Sequence, residues 1–357
     1  MNSKNMPRIY SLDFLRGIAV ILMVQQHTGY WFWNAGGDMG SLIGEYPLMV
    51  IINGLGGLAA PLFILLAGIG AALSLEGGKS GKQHILRGLM IILSGYLLNI
   101  LTPAWFSPVS WYVLHLIGSG MILSSVFRRI NSAVLLTMSG VILFASVFLL
   151  NMFNTPRYLS NDDMRGISSI TGVCRLVFFE GHFPLFPWIA LFITGFISGI
   201  WITARAYINI LKAAAGLFAA AILFYLIKQG DFSFLKNTFG ARLLIINLYM
   251  YPAYPIQFLT LSAVSLISVY LVLLASTKFS ISAGNMLVLT GRVSLTVFIL
   301  HIIIIRNFMV KSGLWQTFPE PVTAMLQIAV LLFIFFSVYF WRKIEFRYGF
   351  EWLLRLI

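Results

Sequence analysis

The sequence has little cysteine, little charge and no long polar stretch. Its single cysteine, Cys174, excludes an intramolecular disulfide and a metal cluster held by cysteines. Charged residues make up 10% of the 357 residues and hydrophobic residues 59%, and the mean hydropathy of +0.90 is far above that of a water-soluble domain. The longest polar interval, around Asn154 to Arg175, has no periodic apolar pattern of its own. We therefore predict an all-α, polytopic membrane protein with one transmembrane domain over residues 1–357 and no soluble domain.

Ten apolar runs are each long enough to cross the roughly 30 Å hydrocarbon core of a bilayer. They lie near residues 14–33, 48–74, 85–103, 111–127, 132–151, 184–204, 207–227, 254–277, 287–309 and 322–341. Segment 242–260 could form an eleventh span or a re-entrant piece, because Pro252 and Pro255 interrupt its helical pattern. Within the spans, Gly195 and Gly199 have the spacing of a close helix–helix contact.

The N-terminal region resembles a signal peptide only in part. Lys4 and Arg8 precede an apolar run, but Asp13 and Arg16 interrupt that run and no small-residue cleavage site follows it. We therefore expect a retained first helix.

The net charge of +13 comes from basic residues scattered through short loops, so we expect no nucleic-acid partner. With ten spans and a cytoplasmic N-terminus, the cytoplasmic loops would contain Lys4, Arg8, Lys79, Lys82, Arg87, Arg128, Arg129, Arg205, Lys212, Lys278, Arg342, Lys343, Arg347 and Arg355. This bias follows the positive-inside rule and places both termini in the cytoplasm. We expect an integral protein of the inner or plasma membrane of a prokaryotic cell.

The first run carries three ionisable residues on one helical face. In SLDFLRGIAVILMVQQHTGYW, His27 follows Arg16 by eleven residues, which returns it to within about 20° of Arg16 and roughly 16 Å further along the axis. Asp13 joins the same face. Charged side chains inside a membrane are costly and usually functional, so this face must line a bundle interior or a wet cavity. Arg16 could bind a phosphate or carboxylate of a substrate, or pair with Asp13 at the i, i+3 spacing.

The other histidines divide by position. His115 and His182 lie on the same outer side as His27, while His301 is deeper in its run and shares a helical face with Ser294. Each could instead hydrogen-bond a neighbouring helix. His84 is predicted to be a solvated loop residue. The histidines lack the HxxxH and HExxH spacings of zinc sites, so no metal is expected.

Two arginines stand near helix ends. Arg87, at the cytoplasmic entrance of the third helix, and Arg292, opening the ninth, could each bind an anion or simply extend to the interface.

Four stretches resemble a known family of membrane enzymes. The pattern of Asp13, Arg16, Gly17 and His27 is similar to the opening of the transmembrane acyltransferases, whose acyltransferase-3 branch carries an Arg-x10-His motif. WYVLHLIGSGMIL around His115, HFPLFPWIALFITGFISG after His182 and GRVSLTVFILHIII around His301 resemble the heparan-alpha-glucosaminide N-acetyltransferase branch and its bacterial and archaeal relatives.

The resemblance implies an enzyme that moves an acyl group, commonly acetyl, from cytoplasmic acyl-CoA to a sugar or glycan hydroxyl or amine on the far side of the bilayer. His27 would act as general base or as a nucleophile that relays the acyl group, with Arg16 positioning the donor or holding the helix through Asp13. His115, His182, Ser294 and His301 would bind the acceptor. A homodimer is a further expectation. Donor-binding residues would be Lys79, Lys82, Arg87, Arg128, Arg129 and Arg292.

Two other classes fit part of the pattern. In a transporter or flippase for a glycan or lipid precursor, the charged face of the first helix would gate an aqueous path. The absence of an internal repeat argues against that class. In a structural or sensory membrane component, the polar groups would simply satisfy one another.

Overall fold

The computed structural model describes residues 8–36, 39–165, 167, 169–230, 239–246 and 250–357. The described residues form helices joined by short connections. The α-helices are α1 (Tyr10–Phe32), α2 (Met39–Glu45), α3 (Pro47–Leu55), α4 (Ala59–Glu76), α5 (Gly81–Leu101), α6 (Val113–Phe127), α7 (Ser132–Met152), α8 (Asn161–Arg165), α9 (Ile170–Arg175), α10 (Leu185–Thr203), α11 (Ile208–Gln229), α12 (Phe239–Leu243), α13 (Pro255–Lys278), α14 (Met286–Gly291), α15 (Ser294–His301), α16 (Asn307–Lys311), α17 (Glu320–Trp341) and α18 (Phe350–Arg355).

The helices confirm the prediction of a polytopic helical membrane protein. Among the described residues, eight helical stretches are long and apolar enough to cross a membrane. They are Pro47–Glu76, Gly81–Leu101, Ser132–Met152, Leu185–Thr203, Ile208–Gln229, Pro255–Lys278, Ser294–Lys311 and Glu320–Ile344. Each of the two remaining predicted runs also forms a helix. These are α6, an apolar helix of 15 residues, and α1, a helix of 23 residues that carries Asp13 and Arg16.

Two details refine the sequence prediction. In the described part of segment 242–260, α12 ends at Leu243 and the chain is not helical again until Pro255, so no eleventh span forms there; residues 247–249 lie outside the described residues. The ninth run is broken, because Val293 departs from helical geometry between α14 and α15. Arg292 therefore caps the C-terminal end of α14 instead of opening the ninth helix.

The described chain divides into two compact units. The central unit comprises residues 64–271, and the terminal unit comprises residues 8–63 and 272–357. The boundaries fall within α4 and α13.

In the terminal unit, α1 packs closely on α14. Gly17 lies against the backbone carbonyl of Leu287, and Gly291 lies against that of Asp13, so a Cβ at either glycine would collide with the opposite backbone. Further along α1, Val20, Met23 and Val24 join a core with Val297 of α15 and residues of α17. The glycines thus set the approach of the two helices, and the apolar core fixes α1 beside α15.

The C-terminal end of α1 is tied to the segment before α17. The carbonyls of Trp31 and Phe32 accept hydrogen bonds from the backbone N–H groups of Gln316 (2.8 Å) and Phe318 (3.0 Å). These bonds satisfy carbonyls that have no partner within the helix. The part of α1 that carries His27 is therefore held at both ends.

The central unit is also built on close glycine contacts. Gly68 of α4 lies against the backbone of Phe192, and Gly195 of α10 lies against that of Leu65. One turn later, a Cβ at Gly199 would lie 2.6 Å from that of Ala72. These contacts confirm the predicted small-residue interface at Gly195 and Gly199.

The α5 and α6 helices form an antiparallel pair in the central unit. Gly88 and Gly118 face each other across it, since a Cβ at either one would lie about 2.5 Å from the other's carbonyl oxygen. Gly81 at the start of α5 lies beside Ser125 near the end of α6. At the opposite end, the hydroxyl of Tyr112 donates to the carbonyl of Gly95 (2.7 Å).

Candidate active site

Asp13 anchors the charged face of α1. Its carboxylate is 2% exposed and accepts hydrogen bonds from Arg8 Nε (2.5 Å) and Arg16 Nη1 (2.9 Å). The predicted pairing of Asp13 with Arg16 is therefore confirmed. Because α1 is continuous, Arg16 and His27 lie on one face, roughly 16 Å apart along the axis.

His27 meets His301 in the terminal unit. Nδ1 of His27 lies 2.9 Å from Nε2 of His301, and the two rings stack with centroids 5.2 Å apart. The indole of Trp31 stacks on both, at 5.4 Å from His27 and 5.6 Å from His301. His301 is buried, whereas His27 is only partly buried. The structure thus joins two candidate residues that are 274 positions apart in sequence.

The backbone fixes the proton positions of this histidine pair. Nδ1 of His301 lies 2.9 Å from the carbonyl oxygen of Val297, which can only accept, so Nδ1 carries the proton. In the neutral ring, Nε2 of His301 is then an acceptor, and His27 donates to it through Nδ1. This arrangement places the lone pair of His27 on Nε2. A base oriented by a second group in this way is a recurrent arrangement for proton transfer and nucleophilic catalysis.

Glu351 positions the helix that carries His301. Its carboxylate accepts hydrogen bonds from the backbone N–H of Leu295 (2.5 Å) and of Thr296 (3.2 Å), and from the Thr296 hydroxyl (2.5 Å). A carboxylate at a helix N-terminus satisfies unpaired N–H groups and stabilises the helix dipole. Burial raises the pKa of Glu351, and these hydrogen bonds oppose that rise. Sequence reasoning missed Glu351, because no local pattern links residues 55 positions apart.

Short π-helical turns adjoin two of the candidate histidines. Ile302–Arg306 directly follows His301, and Leu176–Glu180 ends two residues before His182. Such turns occur frequently at functional sites, because the extra residue redirects the helix. Neither turn was predicted, since a π-turn has no clear pattern in the sequence.

His115 lies within an aromatic cluster of the central unit. Its Nδ1 accepts a hydrogen bond from the backbone N–H of Tyr112 (3.3 Å), which places the proton of the neutral ring on Nε2. Nε2 is buried, makes no hydrogen bond to another described residue, and would lie 2.8 Å from a Cβ at Gly95. The rings of Tyr96 and Trp111 contact His115 at 4.4 and 5.1 Å.

His182 joins the same cluster through Trp111. Its backbone N–H donates to the carbonyl of Trp111 (3.0 Å), and its Nε2 lies 2.8 Å from Oδ1 of Asn161. The amide nitrogen of Asn161 donates to the carbonyl of Trp105, so the oxygen faces the histidine and Nε2 is the donor. The lone pair is then on Nδ1, which is buried and makes no hydrogen bond among the described residues. Burial lowers the pKa of His182 to about 4.

Five predicted donor-binding residues gather at the opposite end of the α5–α6 pair. Lys79, Lys82 and Arg87 lie before or within the first turns of α5, and Arg128 and Arg129 follow α6. Burial and, less strongly, the neighbouring Arg87 lower the pKa of Lys79. His115 and these bases therefore occupy opposite ends of one helix pair.

The prediction that His84 is a solvated loop residue is wrong. His84 lies in the first turn of α5 and is fully buried. Its Nδ1 lies 2.8 Å from the hydroxyl of Ser124 and its Nε2 lies 3.1 Å from that of Ser74. His84 therefore links three helices, a role that depends on residues distant in sequence.

Ser294 and Arg292 lie in the terminal unit beside the break in the ninth run. Ser294 is the first residue of α15 and His301 its last, which agrees with the prediction that they share a helical face. Arg292 is half-buried, with its guanidinium over the ring of Phe346 at 5.3 Å.

The apolar helices define an integral membrane protein, and its family is known from a sequence comparison. The family model described as heparan-alpha-glucosaminide N-acetyltransferase, catalytic, matches residues 8–230. The chain belongs to this family and is a membrane acetyltransferase. A comparison with curated proteins found no similar sequence.

The match covers only some of the candidate residues. His27, His115 and His182 lie inside residues 8–230, whereas His301 and Glu351 lie beyond them. The family match does not support the expected homodimer.

Proposed function

We propose that the protein transfers an acetyl group from cytoplasmic acetyl-CoA to a hydroxyl or amine of a sugar or glycan on the extracytoplasmic side. The observation that carries this proposal is the hydrogen bond between His27 and His301, whose second nitrogen is bonded to the Val297 carbonyl. It orients a lone pair on His27 Nε2 inside a membrane acetyltransferase. The bias of basic residues toward one set of loops supports the assignment of sides.

In the direct mechanism, His27 is a general base. Its Nε2 takes the proton of the acceptor hydroxyl or amine while the acceptor atom attacks the thioester carbonyl carbon. The tetrahedral intermediate collapses, the C–S bond breaks, and the thiolate of CoA takes the proton from His27. His301 accepts the hydrogen bond from Nδ1 of His27 throughout and stabilises the imidazolium that forms.

In the relay mechanism, the same lone pair is the nucleophile. Nε2 of His27 attacks the thioester carbonyl, the C–S bond breaks, CoA leaves as the thiolate, and an acetyl-imidazolium forms whose Nδ1–H still donates to His301. The acceptor then attacks this acetyl group, restores the imidazole and releases its proton to the thiolate or to water. The two mechanisms differ in whether the acetyl group resides on the protein without an acceptor.

The remaining candidate residues have supporting roles in this proposal. Arg16, held by Asp13, fixes the start of α1. The bases at one end of the α5–α6 pair attract the negatively charged donor to that side of the membrane by long-range electrostatics. His115 and His182 at the other end bind the acceptor. Each of these histidines has one buried nitrogen that makes no hydrogen bond to a described residue, and aromatic rings surround both. Ser294, on the same helix as His301, also binds the acceptor.

The first experiment is the release of CoA from acetyl-CoA by the detergent-purified chain, with a mixed pool of amino sugars and glycans. We expect acceptor-dependent release by the wild type and a loss of about 10²-fold or more in His27→Ala, with the melting temperature retained. His27→Ala and His301→Ala together should lose little more than the worse single variant, because the two act as a unit. Tyr30→Ala is the matched control, since Tyr30 lies on the same helix but is 62% exposed.

Other outcomes separate the alternatives. Unchanged activity in His27→Ala would overturn the role of His27. Movement of glycan or lipid precursors across liposomes without CoA release would identify a transporter. Radiolabel retained on the wild type, but not on His27→Ala, after incubation with labelled acetyl-CoA alone would establish the relay mechanism.

A further inference from the structure

A basic cavity of about 560 Å³ opens in the terminal unit. Its size lies within the range typical of small-molecule sites, roughly 300–1,000 Å³. Its charged lining consists of Arg292, Arg342, Lys343 and Arg355 with a single acid, Glu345. Phe346 and Leu289 provide apolar lining.

The four cations of this cavity have no carboxylate partner among the described residues. None of them forms an ion pair there, and Glu345 instead lies 3.9 Å from Arg347. Burial lowers the pKa of Arg292, and the nearby Arg8 and Arg355 lower it further while Asp13 opposes them. The four cations line one cavity, so their like charges repel one another, and a bound anion would relieve that repulsion.

Aromatic rings hold the basic side chains in place. Arg342 lies over Tyr339 at 4.4 Å and Lys343 lies over Phe340 at 4.7 Å. Phe346, beneath Arg292, is 3% exposed although its backbone is left-handed at φ 57°. A bulky residue rarely adopts that conformation, and such strain tends to persist at functional sites. The turn after α17 thus holds these basic side chains in a defined arrangement around the cavity.

We propose that this cavity is a phosphate-binding site. Arginine forks match phosphate oxygens in bidentate geometry, and the surplus of cations over acids in the lining favours an anionic ligand. Two sources carry that chemistry, namely the nucleotide end of CoA and the headgroup of an anionic lipid.

The position of the cavity suits the donor, an assignment that rests on the proposed function. Arg292 lies nine residues before His301, at the break between α14 and α15, the helix that carries His301. Asp13, whose charge acts on Arg292, lies in the first turn of α1, the helix that carries His27. A ligand with its phosphates in the cavity and a long flexible arm would present its reactive end toward the histidine pair.

The test measures binding directly, without turnover. The purified full chain is titrated calorimetrically with adenosine 3′,5′-bisphosphate as wild type, as the double variant Arg342→Ala/Lys343→Ala and as Arg355→Gln. In parallel, its melting temperature is measured in phosphatidylcholine nanodiscs with and without phosphatidylglycerol. The altered side chains are exposed, so folding should be retained. Arg347→Ala is the matched control, because Arg347 is in the same turn but does not line the cavity.

We expect bisphosphate binding to weaken about tenfold or more in the double variant, to weaken in Arg355→Gln, and to be unchanged in Arg347→Ala. A loss of phosphatidylglycerol stabilisation alone would assign the site to a lipid headgroup. If neither signal differs between the cavity variants and Arg347→Ala, the proposal is overturned. Bisphosphate binding that persists in His27→Ala, or in a chain that transfers no acetyl group, would support the phosphate site even where the proposed function failed.

Discussion

His182 links protein stability to pH. Burial lowers its pKa to about 4 from an ordinary 6.5, so between these values the unfolded chain binds a proton that the folded protein does not. The contribution of neutral His182 to stability is therefore complete above pH 6.5 and is lost progressively as the pH falls toward 4. By pH 5 the loss is about 2 kcal/mol.

A melting experiment at pH 7.5 and pH 5 tests this dependence. His182→Gln keeps a side-chain donor for Asn161 but cannot take up a proton. We expect the melting temperature of the wild type to fall further on acidification than that of His182→Gln. An equal fall in the two proteins would show that His182 does not titrate between the folded and unfolded states.

At the scale of the helix, the contact between α1 and α14 depends on the absence of side chains. A Cβ at Gly291 would meet the carbonyl of Asp13, and helix backbones cannot yield as a flexible side chain can. We expect Gly291→Ala to lower the free energy of unfolding by about 1–3 kcal/mol and to reduce acetyl transfer, because α1 carries His27 and α14 carries Arg292 at its end.

The matched control is Gly216→Ala in α11. No atom lies within 4 Å of a Cβ at Gly216, and alanine has the higher helix propensity. This variant should retain its melting temperature and activity. Equal stability of the two variants would mean that the α1–α14 contact is not as close as the structure shows.

At the scale of the whole molecule, labelling of Cys174 reports on the orientation of the protein in the membrane. It is the single cysteine of the sequence, it is exposed in α9, and the proposed topology places it outside. We expect a membrane-impermeant maleimide to label it in intact cells. In a Cys174→Ser background, Glu76→Cys, at the end of α4 beside Lys79, should be labelled only after permeabilisation. The reverse pattern would invert the topology and the assignment of donor and acceptor sides.

The helices could be predicted because each needs a local run of apolar residues of sufficient length, as in the runs that became α7 and α11. The Asp13–Arg16 pair could be predicted for the same reason, since both residues lie within one turn of α1. Properties that depend on residues distant in the sequence could not be predicted. His84 has basic neighbours in sequence, but its burial depends on Ser74 and Ser124.

The candidate site likewise has features that local sequence predicts and features that depend on distant residues. His27 stands out because a charged face in an apolar helix is costly, whereas its pairing with His301 requires two helices from opposite ends of the chain. From the sequence, Arg342, Lys343 and Arg355 indicate only cytoplasmic loop charges, because their convergence with Arg292 depends on the turn after α17. The family match ends before all four of these cavity residues.

The Val297 carbonyl has a consequence for how this enzyme can evolve. The atom that orients the histidine pair belongs to the main chain, so every amino acid at position 297 supplies it as long as the helix persists. Substitutions there can alter packing but cannot reverse the direction of the hydrogen bonds. The direction of the hydrogen bonds in the pair therefore does not depend on the side chain at position 297, and homologues that keep the two histidines can preserve it whatever residue stands there.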